Sequence, residues 1–220
     1  MELYFAPLAC SLATRIALYE AGANATFRQV DTKAKQTRED GADFFAVNRM
    51  GQVPVLRTDT GELLTENPAI LQFVADQHPA ANLAPRDGMQ RYRLQQWLNF
   101  VTSELHKVVY VPLLEKTSSE GAKSYARGKA KIRFDHLNAH LEGRAYLLDS
   151  FSVADAYLLT VLNWSRTASI DLSQWPAVLA YFKRMHGRPS IAKAFSEELA
   201  LFNAEQARQN AEPVRQAAAS

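Results

Sequence analysis

The sequence predicts an α+β protein built in two parts, a sheet-and-helix half followed by an all-helical half. Three observations carry this. Strand-type and helix-type patterns alternate through residues 1–78, the stretch 79–87 places Pro79 and Pro85 among small residues, and from residue 88 onward the apolar pattern is helical only. The expected organisation is a first domain at 1–78, a linker at 79–87, a helical domain at 88–202 and a polar, alanine-rich tail at 203–220, frayed at its end.

Glu2 to Phe5 alternates as a strand, and Cys10 to Ala21 reads as a helix closed by Gly22. Phe27 to Asp31 is a second strand, parallel to the first because a βαβ crossover is right-handed. A helix is expected around Glu39 to Val47, then a strand opening at Pro54, a turn at Asp59-Thr60-Gly61 and an antiparallel strand at Glu62 to Thr65. Asn67 and Pro68 start the next helix, with Asn67 as N-cap and Pro68 at the first helical position, giving the order βαβ-α-ββα. Helices follow at about Gly88–Leu114, Ala122–Leu141, Ser152–Ala168, Trp175–His186 and Ser190–Phe202. Ser152-Val153-Ala154-Asp155 is a capping box ahead of the apolar run Tyr157-Leu158-Leu159.

At 220 residues the chain is long enough to bury roughly 70% of its unfolded surface, so its core needs no covalent staple. Twenty-five basic residues against 23 acidic ones leave a net charge of +2 with no long like-charge block. That pattern is no footprint for nucleic acid and no polybasic membrane anchor. One cysteine forms no internal disulfide, and no apolar run approaches the roughly 18 residues of a membrane span. Together with a start that lacks a cationic leader, this gives a soluble cytoplasmic protein as the expectation.

Chemistry-bearing residues cluster in the first half. Proline cannot donate to a sheet ladder, so Pro54 suits a strand's first residue or an edge and leaves the backbone of Val53 free to pair with an extended peptide. A Val53-Pro54 bond in the cis form would turn that edge outward. The helix start at Glu66-Asn67 offers free amides to a carboxylate while Glu66 offers a charge to an ammonium group, so the pair suits an α-amino acid head. Cys10 opens the first helix, where aligned amides are expected to favour its thiolate; the competing reading is a small buried hydrophobe. No Cys-x-x-Cys pair exists, which excludes a dithiol mechanism. Ser11 and Tyr4 are nearby hydroxyls, and Lys33, Lys35 and Arg38 form a basic group suited to a peptide's terminal carboxylate.

On the long helix Leu98, Val101, Leu105 and Val108 share an apolar stripe and Asn99, Ser103, His106 and Tyr110 a polar one, if each residue turns by about 100°. Polar stripes mostly face water; this one, with Lys107 beside His106, can instead face a cleft between the halves. His136 and His140 have the spacing of metal ligands but lack a third, so no metal is expected.

In combination these pieces resemble the glutathione transferases over about residues 1 to 200, and Cys10 with His106-Lys107 resembles the bacterial beta class. The resemblance implies a thioredoxin-like N-terminal domain, glutathione as co-substrate, a hydrophobic electrophile as second substrate, and a homodimer. It assigns the cysteinyl backbone of glutathione to Val53, the γ-glutamyl head to Glu66 and Asn67, and the glycine carboxylate to Lys35. Asn99, Ser103, His106 and Lys107 complete the site around Cys10, some of them from a neighbouring subunit, and Trp164, Arg166 and Tyr110 line the electrophile's pocket. The family commonly has serine where this chain has Asn67, which also caps. The reaction implied is attack of the glutathione thiolate on an electrophilic carbon, with thiol-disulfide exchange through Cys10 as a side activity. A glutathione-dependent thiol transferase or dehalogenase, and a non-catalytic glutathione-binding module, are the alternatives.

Overall fold

Strand β1 (Glu2–Phe5) sends alternate side chains to opposite faces, and that alternation builds two cores. Leu3 and Phe5 join a large cluster with Leu12 and Ile16 of helix α1 (Leu12–Glu20) and with Ile70, Leu71 and Val74 of helix α2 (Asn67–Gln77). Tyr4 points the other way, into a small cluster with Val30, Phe44 and Val55. The structure is a computed structural model that describes residues 1–218, with side chains to residue 210.

Strands β2 (Thr26–Asp31), β3 (Gln36–Thr37), β4 (Val55–Arg57) and β5 (Leu63–Thr65) complete a five-stranded sheet of order β3-β2-β1-β4-β5. β1 and β2 are parallel, and β4 runs antiparallel to both β1 and β5. The expected crossover and hairpin are therefore present, but two expectations change. The stretch 39–47 holds a single 3-10 turn at Phe44–Ala46, begun by Asp43, whose carboxylate accepts from the Phe45 amide at 2.9 Å. Gly41 at φ 69° and the Thr37–Asp40 side-chain contact tie the chain into a short hairpin, which leaves no length for a regular helix. The Pro54 strand is also not at an edge: β4 is flanked on both sides, and Val53 and the cis-linked Pro54 stand just before it.

Helix α3 (Gly88–Asn99) runs without a break into a π-helical segment, Phe100–Tyr110, and then into α4 (Val111–Leu114). Helices α5 (Glu120–Leu141), α6 (Val153–Leu162), α7 (Pro176–His186) and α8 (Pro189–Ala218) pack around it. Every residue of α6 is buried. The capping box forms: Asp155 accepts from the Ser152 amide and hydroxyl and the Leu147 amide, each at 2.9 Å, and from the Tyr181 hydroxyl at 3.0 Å. α8 continues past residue 202 as one helix, so the expected start of the tail falls inside it.

The π segment corrects the predicted stripes. Each turn takes in more residues than an α turn, so the phase slips along the helix. Tyr110, expected on the polar face, is fully buried with its hydroxyl 2.6 Å from Ser165 Oγ, while Val108 is partly exposed. The same slip buries His106 and leaves Lys107 at the surface beside it.

Candidate active site

Between the two halves lies a cleft whose floor is Cys10 and whose walls are Val53, Glu66 and Asn67 on one side and His106, Lys107 and Tyr157 on the other. Cys10 sits on a loop held from the helical half at two points. The Leu8 amide donates to Glu198 Oε2 of α8 at 2.7 Å, and Trp164 Nε1 donates to the Leu8 carbonyl at 2.9 Å. Leu8 itself stands at φ 58°, a conformation costly for a residue with a β-carbon and kept here by those two contacts. Glu198 also faces Arg15 at 3.0 Å, and the Arg15 guanidinium lies over Phe5 and Phe27.

The expected activation of Cys10 by a helix start is not what the structure holds. α1 begins at Leu12, and burial pushes the Cys10 thiol up to about 11, with Glu66 adding to the rise. Lys107 and the amides of Cys10 and Ser11 pull the other way but lose to desolvation. The thiol is protonated at neutral pH and donates to the Val53 carbonyl at 3.2 Å. Ser11 does not face the cleft; it is buried and exchanges hydrogen bonds with the Ala6 backbone.

Glu66, not Asn67, is the cap of α2, with φ 66° and its side chain exposed in the cleft. Positive φ at a glutamate is the sort of local strain that concentrates at functional sites. Asn67 is the first helical residue and 4% exposed; its side chain donates to the Cys10 carbonyl at 2.9 Å and accepts from Thr14 at 3.2 Å. It ties the Cys10 loop to α2 rather than capping the helix.

His106 Nδ1 lies 2.8 Å from the Tyr157 hydroxyl, and the imidazole packs edge-on against Trp164. Burial, with Lys107 next to it, lowers the His106 pKa to about 4, so the ring is neutral at pH 7. Lys35 does not line the cleft; its ammonium donates to the Gly51 carbonyl at 2.8 Å, just behind the Gln52-Val53 wall. Lys33 and Arg38 turn away to Gln209 and to Asp31 and Glu205. Asn99 and Ser103 are exposed on the outer face, each donating to the carbonyl four residues earlier on its own helix. Arg166 is exposed beside a different cavity, with Ile170 and Phe182. His136 stacks on Trp97, and His140 donates to the Leu147 carbonyl at 2.9 Å; among the described residues no group of three metal-ligating side chains occurs.

Family models for the glutathione S-transferase N-terminal domain and C-terminal domain match residues 1–76 and 100–189. The chain belongs to the glutathione S-transferase family. A curated relative, the glutathione S-transferase GstA of Escherichia coli O157:H7, is 39% identical over 200 residues, 90% of this chain and 98% of its own. A solved bacterial beta class glutathione S-transferase from Sphingomonas chungbukensis is 45% identical with a TM-score of 0.85, covering 90% of this chain and 98% of that one. A sphingomonad glutathione S-transferase solved in complex with glutathione is 44% identical with a TM-score of 0.86 over the same shares. The resemblance read from Cys10, Val53-Pro54, Glu66 and His106-Lys107 is thus borne out at the level of family, class and fold.

Several residues of this transferase's cleft escaped the sequence reading: Asn48, Met50, Thr65, Thr102 and Tyr157. Asn48 had a signal, since it bridges the Met50 amide and the Gln52 carbonyl as turn asparagines do. Tyr157 had one too, because a hydroxyl inside an apolar run must find a partner.

Proposed function

We propose that this transferase binds glutathione in the cleft above Cys10 and conjugates its thiol to small hydrophobic electrophiles. The carrying observation is the pairing of an exposed Glu66 at a strained helix start with the Val53 backbone, which stands just outside the sheet, both lining one cleft with Cys10 and His106. The glutathione complex of the sphingomonad relative, 44% identical, supports the ligand. Glu66 takes the γ-glutamyl ammonium and the α2 amides its carboxylate, while the Val53 backbone pairs with the cysteinyl residue. Lys35 takes the glycine carboxylate by leaving Gly51. Asn67 serves the head group through its backbone amide and keeps its side chain on the Cys10 carbonyl.

The thiolate is stabilised by donors that line the cleft: the neutral His106, the Lys107 ammonium and, once it leaves the Val53 carbonyl, the protonated Cys10 thiol. The sulfur then forms a bond to the electrophilic carbon as the leaving group departs with its electron pair. Exchange through Cys10 is a slower side reaction, because its own thiolate is scarce.

We also propose a homodimer working in the cytoplasm, where glutathione is kept reduced. Tyr92, Asn99 and Ser103 share one helical face, and Tyr92 at 65%, Met89 at 67% and Ile132 at 66% are large exposed apolar residues on α3 and α5. Exposed apolar side chains of this size suit contact with a second copy, to whose cleft Asn99 and Ser103 would then reach. Light scattering is expected at twice 24.6 kDa; a monomer at working concentration would sink the dimer.

Turnover with glutathione and an aryl halide, a mixed disulfide or a chlorinated aliphatic tests the reaction. Conjugation of the aryl halide is expected to lead. Turnover of the disulfide alone would move the reading to a thiol transferase, and of the chlorinated compound alone to a dehalogenase. Binding without turnover of any would leave a binding module.

A further inference from the structure

The cleft contains one buried hydroxyl to which neither the sequence reading nor the family assignment gives a role. Tyr157 lies in the middle of α6, is 1% exposed, and lines the cleft with its hydroxyl 2.8 Å from His106 Nδ1. A tyrosine this buried needs a partner for its oxygen and its proton. Among the described residues His106 Nδ1 is the hydrogen-bond partner of that oxygen, while the Thr102 hydroxyl donates to the Leu98 carbonyl and the Asn67 amide to the Cys10 carbonyl, so the Tyr157 proton has His106 Nδ1 as its acceptor. Burial, with the Glu66 charge adding to it, holds Tyr157 in its protonated form, well above the ordinary tyrosine range.

We propose that Tyr157 is a positioning residue of this transferase: its hydroxyl donates to His106 Nδ1 and fixes the tautomer that presents Nε2–H to the bound thiol. A neutral imidazole carries one proton, and which nitrogen holds it is set by the hydrogen bond at the other. Among the described residues Nε2 has no hydrogen-bond partner, and His106 lines the cleft, so Nε2 is the nitrogen available to a ligand. With Nδ1 accepting, Nε2–H donates to a thiolate and favours it over the thiol. With Nδ1 donating, Nε2 would offer a lone pair, which pairs with the thiol and works against the anion. The other charged or titratable groups at the site are Cys10 and Glu66 from the N-terminal half and Lys107 on the π segment; none of them hydrogen-bonds the imidazole. Trp164 closes the imidazole's remaining side.

The proposal rests on the glutathione reading above, and its test separates the two. Nitrogen NMR of the histidine rings in the ligand-free protein reads the tautomer directly. His106 is expected to carry its proton on Nε2 in the parent chain and to become a tautomeric mixture in Tyr157→Phe, and a proton on Nδ1 in the parent would overturn the proposal whatever glutathione does. On the enzyme, Tyr157→Phe is expected to leave the calorimetric affinity for glutathione within about twofold at a pH below the acid limb, where the bound thiol is protonated. It should move the acid limb of the pH-rate profile upward by about one unit, equivalent to a tenfold loss of thiolate at neutral pH. An unmoved limb with a uniformly lower rate would make Tyr157 a packing residue only and overturn the proposal. His106→Phe guards against misfolding artefacts: in that background Tyr157→Phe should no longer shift the limb, and a shift that persists would show that Tyr157 acts without His106. Failure of the parent chain to bind glutathione would reject the functional reading and leave the NMR result standing.

Discussion

The two walls of the cleft are made in different ways. The N-terminal wall works largely through backbone: a Val53 carbonyl left outside the sheet, a helix start at Glu66 and Asn67, and a loop around Leu8 whose own amide and carbonyl are taken by α8 and Trp164. The helical wall works through side chains from a π segment and a buried helix, His106, Lys107 and Tyr157. Backbone groups at fixed spacing suit recognition of a peptide of set shape. Titratable side chains such as His106 and Tyr157, whose charge is set by burial, suit control of a thiol. On the proposed function the difference divides the labour of the site, with one wall assigned to holding glutathione and the other to keeping its sulfur ionised.

The largest effect expected is on the helix that carries Tyr157. Removing the Asp155 carboxylate leaves the Ser152 and Leu147 amides unpaired in a dry interior and the Tyr181 hydroxyl with only its 3.4 Å contact to the Asp155 carbonyl. Asp155→Ala should cost about 2–4 kcal/mol of stability by denaturant titration. A loss below about 0.5 kcal/mol would break the claim that the helical wall is a rigid presentation of side chains.

Cys10 sharpens the comparison from the other side. With its thiol near 11, alkylation should quicken about tenfold per pH unit from 7 to 9, with no plateau before about pH 10. A plateau near neutral pH would mean that the helix start, not burial, governs Cys10. A smaller effect is expected at the recognition wall. Glu66→Gln should weaken glutathione binding by about 1–2 kcal/mol in calorimetry, modest because the carboxylate is exposed. Smallest of all, Glu205→Ala should cost no more than about 0.5 kcal/mol, since its contact with Arg38 is a partly exposed ion pair at 3.3 Å. A larger loss would give α8 beyond residue 202 a structural role.

The same division explains what could be read from the sequence. β1, α1, β2, the Asp59-Gly61 turn and the Ser152–Asp155 box were legible because each has a local signature, and the recognition wall was legible with them through Pro54 and the Glu66-Asn67-Pro68 start. The helical wall was legible only in part: His106 and Lys107, expected to face a cleft, do line it, but the phase of their helix and Tyr157 were missed. Tyr110 and Val108 fell on the wrong faces because the pattern was read at an α period where the chain is a π helix, and nothing in Phe100 to Tyr110 announces that change. Tyr157 hid in an apolar run, and the Cys10 thiol was misjudged because burial, a tertiary property, outweighs the local helix start.

The division of labour is tested most directly by one titration: the ultraviolet absorbance of bound thiolate, followed against pH at several glutathione concentrations, for the parent chain, Glu66→Gln and His106→Phe. Each series yields both an affinity and a thiol pKa. The account predicts that Glu66→Gln changes the affinity for both thiol and thiolate by about tenfold and leaves the thiol pKa in place, while His106→Phe raises the thiol pKa by about one unit and leaves the affinity for the protonated thiol in place. Both variants moving the same parameter would contradict it.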